Sequence, residues 1–553
     1  MLNLNNNIMK SDVQFFRIVA SSFVGGVFLT LCLVGCGKSD VVSSSEDEPN
    51  IDIEGNELVE IEPDRSLILH NPFTEWVTYA SIGDGASTTY WSDYDNMHTS
   101  EGSVVKVSDY SNTLYLRGAW ADFNPEDGVY AWEDECTTQA SKRLKGFMEE
   151  AEKRGMKLAF TFVVDSRDKH DNFTPAFVKD AGAKGYETVT GSATVWSPYP
   201  DDPIFQKYYE KFIYALGERF DDPDKVQFIS GTGLGKWGEY HTVWYYGTKV
   251  EGKEELPIRE SVFDWATSLY ADAFKRVPLL INFHRWIGTG RDWVNESTYD
   301  EDTERLIGKA VEKGYSLRHD AFGMHPYYGN WEREFAQKWF YKRPIIMEGG
   351  WVVGTHRYWT DSEGKYREGH PEDVRNGEFK DAQEAHVNMM DFRIGNETET
   401  WFGKSFDLVK RFVQEGGYRL YPSKVSLPTT MENNTSVTLV HYWKNIGWGY
   451  CPTNMPQWKN KYKVAFALLD TKTENVKFMF VDDKPEACDW ILGNEKEYIF
   501  NIKIENIPTG NYIWAVGIID MEKEDPTIGI KLSVSKNVTS KGWLKLRDVI
   551  VKP

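Results

Sequence analysis

The sequence predicts an α/β fold in which a (β/α)8 TIM barrel is followed by a C-terminal all-β, Ig-like sandwich. Two observations support this prediction. From about residue 70, apolar runs of strand length alternate with amphipathic helical patterns, which is the order of βα units in a parallel sheet. After Pro422 the apolar residues recur with a period of two, as at Val464, Phe466 and Leu468, which is typical of half-buried strands. We place the barrel at residues 67–425 and the sandwich at residues 430–553.

Eight strand candidates define the predicted barrel, and eight βα units are the number that closes a barrel of this kind. The helices between them carry their own signals. Asp202 and Pro203 supply an N-cap and a first-turn proline, and the basic pair Lys275-Arg276 suits the C-terminal end of a helix. The strand candidates are Trp76 to Ala80, Thr113 to Ala119, Lys157 to Val164, Val226 to Ser230, Leu279 to Phe283, Ser316 to Gly323, Pro344 to Met347 and Thr398 to Phe402.

Composition limits the class of protein. The chain has 553 residues with 41% hydrophobic content, enough to bury a full core, and its formal charge of -21 argues against nucleic-acid partners, which select basic surfaces. Aromatic residues make up 14% of the chain and include 21 Trp. Such side chains either pack in the core or stack on sugar rings, and both uses stay open for this chain.

The N-terminal segment predicts export. Lys10 and Arg17 precede an apolar stretch that ends in Leu33-Val34-Gly35-Cys36, which resembles a bacterial lipoprotein signal with its lipobox. The resemblance implies a signal peptide over residues 1–35, lipidation of Cys36, a flexible tether over residues 36–66, and a location at the outer membrane or cell surface. The alternative is an uncleaved membrane anchor. Pairing of Cys451 with Cys488 is left open.

Two glutamates point to a reaction. Glu239 follows the fourth predicted strand and Glu348 ends the seventh, and side chains at the C-terminal strand ends of a barrel converge on one axis. Hydrolysis of a glycosidic bond with retention needs one carboxyl that protonates the leaving oxygen and a second that attacks the anomeric carbon. The alternative is that both are ordinary carboxylates of rim loops. The adjacent glycines and aromatic residues favour a cleft.

These residues resemble clan A glycoside hydrolases, whose acid/base follows the fourth strand and whose nucleophile follows the seventh. The segment Leu116-Arg117-Gly-Ala-Trp120 and the following Phe123-Asn-Pro-Glu-Asp-Gly128 are similar to a segment common in such barrels. The resemblance implies that Arg117 contacts Glu348 and holds it ionised, while an apolar wall such as Trp237 raises the pKa of Glu239.

Other segments resemble a bacterial family known as domain of unknown function 4832, which pairs a barrel with a β-sandwich. They are Asn71-Pro72, Arg318-His-Asp320 and Asn445-Ile-Gly447. The chain departs from many clan A enzymes at Gly238, because the acid/base there follows an asparagine that binds the substrate 2-hydroxyl. His241, Asn282 or His284 would have to replace that contact.

The expected catalytic residues are Glu239 and Glu348, and no organic cofactor is implied. No metal is expected, because the histidines show no metal-binding spacing. A Tyr or His of the sixth loop often orients the nucleophile in clan A, which favours His325 or Tyr327. The expected substrate-binding residues are Arg117, Trp120, Trp237, His241, Asn282, His284, Trp286, His325, Tyr327 and Trp351.

Together these features predict a retaining glycoside hydrolase acting on an extracellular polysaccharide or glycan. The expected partners are that glycan, the membrane through the lipid anchor, and glycan-import proteins, with no nucleic acid. The alternative is a surface glycan-binding lipoprotein that keeps the barrel without catalysis. A third interpretation is a structural protein of the cell envelope.

Overall fold

The computed structural model describes residues 53–83, 87–165, 171–247, 256–324, 327–353, 366–525 and 527–553. Its strands are β1 (Asn56–Glu60), β2 (Glu75–Ser81), β3 (Met97–His98), β4 (Val104–Val105), β5 (Ser111–Ala119), β6 (Lys157–Val163), β7 (Gly185–Thr190), β8 (Ala193–Pro198), β9 (Val226–Ser230), β10 (Leu279–Asn282), β11 (Tyr315–Asp320), β12 (Ile345–Glu348), β13 (Met389–Asp391), β14 (Leu420–Pro428), β15 (Thr430–Glu432), β16 (Thr435–Asn445), β17 (Tyr462–Asp470), β18 (Val476–Asp482), β19 (Glu495–Ile504), β20 (Gly510–Asp520), β21 (Thr527–Ile530) and β22 (Leu544–Lys552).

The α-helices of the same residues lie mostly between the barrel strands. They are α1 (Tyr90–Tyr94), α2 (Trp120–Phe123), α3 (Gln139–Lys153), α4 (Ala176–Asp180), α5 (Pro203–Phe220), α6 (Leu256–Ala273), α7 (Thr303–Glu312), α8 (Asn330–Trp339), α9 (Pro371–Glu384) and α10 (Asn396–Glu415). The predicted cap of α5 is confirmed, because the Asp202 carboxylate accepts hydrogen bonds from the backbone N–H groups of Ile204 and Phe205 at 2.9 and 3.0 Å.

The predicted eight-stranded parallel barrel is confirmed. It closes in the order β2-β5-β6-β9-β10-β11-β12-β13, and β13 pairs with β2 in parallel. Seven of the eight strand predictions overlap an observed barrel strand.

The eighth strand prediction, Thr398 to Phe402, is wrong, because these residues belong to α10. The buried side chains there are Thr398, Trp401, Phe402 and Ser405, a spacing of three and four residues that fits one face of a helix. The strand that closes the barrel is the three-residue β13, which is too short to show an alternating pattern.

Alternation along the barrel strands sets the position of the polar residues. In β5 and β12, Tyr115 and Ile346 belong to the core inside the barrel, while Leu116 and Met347 pack outward against the helices. Side chains two residues apart in a strand share a face. Arg117 and Glu348 therefore point into the barrel one layer closer to its C-terminal mouth.

Two further sheets pack beside the barrel: an antiparallel sheet in the order β1-β14-β16-β19, and a six-stranded sheet around β17 and β20 that is antiparallel except for the parallel pair of β15 and β22. Both contribute to a hydrophobic cluster that also includes the inner side chains of the barrel, such as Tyr115 and Phe228. β1 pairs with β14, so residues 56–60, expected in the tether, are part of a sheet because Val59 packs on this cluster. The Ig-like topology stays a prediction.

The expected signal peptide and Cys36 lie outside the described residues. In the part of the chain that is described, no helix combines the length and apolar character needed to cross a membrane. Cys451 and Cys488 are free thiols.

Candidate active site

Glu348 is the last residue of β12, and Glu239 lies in the loop after β9. That loop turns sharply: Gly235 has a φ of +72°, and a Cβ atom on it would lie 2.5 Å from the carbonyl oxygen of His241. The turn brings Glu239 back over the barrel mouth. Both carboxyl groups are buried, with 3% and 1% of Glu239 and Glu348 exposed.

Arg117 joins the two glutamates, as the resemblance implied for Glu348. Its Nη1 donates to Glu348 Oε1 at 2.9 Å, and its Nη2 lies 3.2 Å from Glu239 Oε1. Nη2 also donates to the carbonyl oxygen of Trp237. Because one planar guanidinium group contacts both carboxylates, the two acids lie side by side in a single site.

Two further arginines surround Glu348. Arg318 Nη2 pairs with Oε2, and Arg393 Nη1 pairs with Oε1. Burial acts to raise the pKa of Glu348, but the positive charges of Arg318, Arg393 and Arg117 outweigh it and lower the pKa to about 2. Glu348 is therefore ionised throughout the physiological pH range.

Two aspartates complete the ring of charges. Asp320 stands opposite Glu348 in the register of β11 and β12, and its Oδ2 lies 3.5 Å from Arg393 Nη2. Burial, with the nearby charge of Glu348, raises the pKa of Asp391 to about 7 against the pull of Arg318. Burial likewise raises the pKa of Asp320 well above its ordinary value, although Arg393 acts against it. Both aspartates are therefore more readily protonated than Glu348.

The two predicted histidines next to Glu239 have different contacts. His241 Nε2 lies 3.7 Å from Glu239 Oε2, so this ring faces the carboxylate. His284 instead bonds the Glu239 carbonyl oxygen through Nε2 at 2.8 Å and accepts the Trp286 N–H on Nδ1 at 3.2 Å. Since a backbone N–H can only donate, the proton of His284 sits on Nε2, and burial lowers its pKa well below the ordinary value. His284 thus fixes the Glu239 backbone.

Several buried polar atoms of the mouth have no hydrogen-bond partner among the described residues. Buried polar groups are nearly always hydrogen-bonded in folded proteins, so a cluster of unpartnered ones indicates a place for water or a polar ligand. The set combines donors and acceptors, as binding of hydroxyl groups requires. It comprises His241 Nε2, Asn282 Oδ1, Arg318 Nη1, Asp320 Oδ1 and Arg393 Nε.

Aromatic residues from the mouth loops form a separate apolar cluster beside these charges. Of the predicted substrate-binding residues, Trp286 and Tyr327 belong to it and Trp237 packs against it. Trp351, which directly follows Glu348-Gly-Gly, is 49% exposed, and its ring lies 5.2 Å from the Arg393 guanidinium. An exposed indole at the mouth offers a flat apolar face to a sugar ring.

One predicted residue, Trp120, is not brought to the site, and the position of another is not described. Trp120 is fully buried between the barrel and its helices, against Tyr209 and Phe212, because α2 turns it away from the mouth. It is a core residue. His325 lies outside the described residues.

Four charged residues of the site were not among the predicted site residues: Arg318, Asp320, Arg393 and Asp391. Arg318 and Asp320 had a readable signal, because charged residues at alternate positions of a predicted buried strand share one face of it. Arg393 and Asp391 had none, since Asp391 ends β13 and Arg393 follows it, and the sequence pattern placed that strand at the wrong residues.

No protein-family model matches the chain, and no curated protein matches it. Solved structures similar to it include endo-glycoceramidase II from Rhodococcus sp., with 11% identity over 79% of this chain and 99% of that chain and a TM-score of 0.37. A GH30 endoxylanase from Clostridium papyrosolvens C71 has 11% identity over 81% and 97%, with a TM-score of 0.34. Exo-beta-1,4-mannosidase Op5Man5 from Opitutaceae bacterium strain TAV5 has 12% identity over 62% and 59%, with a TM-score of 0.35. Similarity at this level carries no argument about activity, and the resemblance to domain of unknown function 4832 stays a prediction.

Proposed function

We propose that this protein is a glycoside hydrolase that acts with retention of configuration, with Glu348 as nucleophile and Glu239 as general acid/base. The observation that carries the proposal is the contact of one guanidinium group, that of Arg117, with both carboxylates. Retaining enzymes hold their two carboxyl groups about 5 to 5.5 Å apart, whereas inverting enzymes leave room for a water between them. A single guanidinium bridging the pair favours the shorter gap.

The electrostatics suit these roles. A nucleophile must be ionised, and the low pKa of Glu348 keeps it so. Glu348 attacks the anomeric carbon and forms a glycosyl ester as Glu239 gives its proton to the leaving oxygen. Glu239 then takes a proton from water, which attacks the anomeric carbon and releases Glu348.

The unpartnered polar atoms and the exposed Trp351 support a substrate rich in hydroxyl groups with an apolar ring face, which describes a glycan. An extracellular polysaccharide reached from a lipid anchor at Cys36, with import proteins as partners, is part of the proposal. It rests on the N-terminal sequence alone.

The test is hydrolysis of a panel of 4-nitrophenyl mono- and disaccharide glycosides and of plant, bacterial and host polysaccharides. We expect the wild type to cleave at least one of them, and we expect Glu239→Gln and Glu348→Gln to lose about 100-fold or more in kcat. Glu75→Gln is a matched control, because Glu75 is buried and paired to His70 at the first residue of β2, the strand end opposite the barrel mouth. Its activity, corrected for folded fraction, should stay near that of the wild type.

Chemical rescue separates the two roles. Azide or formate should restore turnover to Glu348→Gly and give a product of inverted configuration, because the small anion replaces the missing carboxylate. NMR of the first product of the wild type should show retention. An inverted wild-type product would contradict the assignment of Glu348 as nucleophile.

A second candidate is a glycan-binding protein without catalysis, and one observation favours it. Both oxygens of Glu348 are held by arginines, Oε1 by Arg117 and Arg393 and Oε2 by Arg318, which spreads the negative charge that an attacking carboxylate needs. A wild type that binds a glycan of the panel, cleaves none, and binds equally well as Glu348→Gln would establish this candidate.

A further inference from the structure

Asp320 is one of two carboxyl groups of the site, with Asp391, that neither proposed catalytic role uses. It is the last residue of β11 and stands opposite Glu348 on the neighbouring parallel strand. Its inward direction follows from alternation, since Leu317 on the same strand packs outward. Asp320 thus lies next to the proposed nucleophile, in the same layer of the barrel.

The contacts of Asp320 leave part of the carboxyl group free. Oδ2 has one distant ionic partner, Arg393 Nη2 at 3.5 Å, while Oδ1 is buried with no hydrogen-bond partner among the described residues. Burying a carboxyl oxygen without a hydrogen-bond partner destabilises the folded state, and folded proteins rarely leave such an atom unpartnered. Asp320 is also 7% exposed, more than Glu239 at 3% or Glu348 at 1%, so it is the most accessible of the three acids.

We propose that Asp320 is a substrate-binding residue that selects the sugar, its free oxygen hydrogen-bonding the hydroxyl group on the carbon next to the anomeric carbon. This inference rests on the proposed function and deepens it. Glu348 must lie against the anomeric carbon, so a group in register with it reaches the atoms bonded to that carbon. Within the ring these are the ring oxygen, which carries no hydrogen, and C2, which carries the hydroxyl.

The chemistry of the carboxyl group suits this contact. Burial raises the pKa of Asp320, and the charges of Glu348 and Glu239 add to it against Arg393, so the group can donate through its O–H as well as accept. Hydrogen bonds to the 2-hydroxyl strengthen in the transition state of glycoside hydrolysis. A contact made there raises the rate and not only the affinity.

The test pairs the 4-nitrophenyl glycoside that the wild type cleaves best with its 2-deoxy counterpart. We expect the wild type to prefer the hydroxylated substrate in kcat/KM by about 10-fold to 100-fold, and Asp320→Ala to reduce that preference to within about threefold. Asp320→Asn keeps the shape and one hydrogen bond, and an intermediate preference is expected. Comparing the preference between variants cancels the different intrinsic reactivity of the two substrates.

Asp391→Ala is the matched control, because Asp391 is a buried acid of β13 whose carboxyl group accepts a hydrogen bond from the Arg393 backbone N–H. It should keep the wild-type preference whatever its overall rate. An unchanged preference in Asp320→Ala, or an equal fall in Asp391→Ala, overturns the role of Asp320 while the hydrolase stands. If the alanine variant does not fold, the asparagine variant decides: a wild-type preference in it overturns the inference. A wild type that cleaves neither substrate overturns the proposed function and this inference together.

Discussion

At the scale of single residues, the site is a balance between three arginines and the acids around Glu348. Glu348 is ionised because Arg318, Arg393 and Arg117 offset its burial, whereas Asp391 is pushed toward the protonated form by burial and by Glu348 itself. Ionising every acid at once would leave more negative than positive charge in a buried space. The raised pKa values of Asp320 and Asp391 act against this.

This balance predicts how stability changes with pH. An unfolded aspartate has a pKa near 3.9, while that of Asp391 is raised to about 7, so between these values the folded state holds a proton that the unfolded state has lost. The contribution of Asp391 is therefore complete below about pH 4 and is lost as the pH rises through about 7. In Asp391→Asn this loss should be absent, since the amide stays neutral.

The measurement is the urea midpoint of wild type and Asp391→Asn at about pH 4.5 and about pH 7.5. Relative to the wild type, the variant should be more stable at the higher pH than at the lower one. Asp548→Asn, at an exposed position of β22, should change the two midpoints equally. A difference between Asp391→Asn and the wild type that does not vary with pH would contradict the raised pKa.

Among the secondary-structure elements, a strand could be predicted where it was long enough to show an apolar run or where its flanking residues marked its ends. β9 and β5 are long enough and apolar enough to be located from sequence. Their positions allowed Glu239, after β9, and Arg117, in β5, to be predicted as site residues. β13 has three residues and is followed by a helix rich in aromatic residues, so the pattern favoured the wrong segment. Arg393 could not be predicted as a site residue, because it follows β13. The meeting of Arg318, Arg393 and Arg117 on one carboxylate depends on barrel closure, which no local pattern encodes.

Helix α5 offers a prediction at this scale, because it supports the loop of Glu239. Tyr209 of this helix donates its hydroxyl hydrogen to the carbonyl oxygen of Thr232 at 2.7 Å, next to that loop. The helix begins at the Asp202 cap, whose loss should cost about 1 kcal/mol of the free energy of unfolding.

We therefore expect Asp202→Ala to lower the urea midpoint by an amount corresponding to about 1 kcal/mol, with the denaturant slope unchanged. Glu218→Ala, an exposed position on the same helix, should stay within about 0.5 kcal/mol of the wild type. Equal effects of the two variants would show that the cap does not support the helix.

At the scale of the whole molecule, the barrel and the C-terminal sheets share one hydrophobic cluster. Phe73, fully buried just before β2, links them: its ring lies 6.4 Å from Phe228 inside the barrel and 6.0 Å from Trp458 of the C-terminal part. Asn71 adds two hydrogen bonds, donating from Nδ2 to the Lys531 carbonyl oxygen at 2.9 Å and accepting the Lys531 N–H at 2.8 Å. The C-terminal part of the chain thus covers the end of the barrel opposite the mouth, where the parallel strands begin.

This shared core predicts that the two parts unfold together. Chains of this size often unfold in separate steps. When two parts share one hydrophobic core, however, unfolding of either part exposes that core and destabilises the other. We expect one calorimetric transition for the wild type, and we expect Phe73→Ala to shift the whole transition down, with a cost of about 3 to 5 kcal/mol. Phe478→Ala also removes a phenylalanine ring, but at a half-buried position of β18 that does not contact the barrel residues named above. It should shift the transition temperature less than Phe73→Ala. Two transitions in the wild type, or a Phe73→Ala variant in which only one part melts early, would mean that the barrel supports its site without the C-terminal sheets.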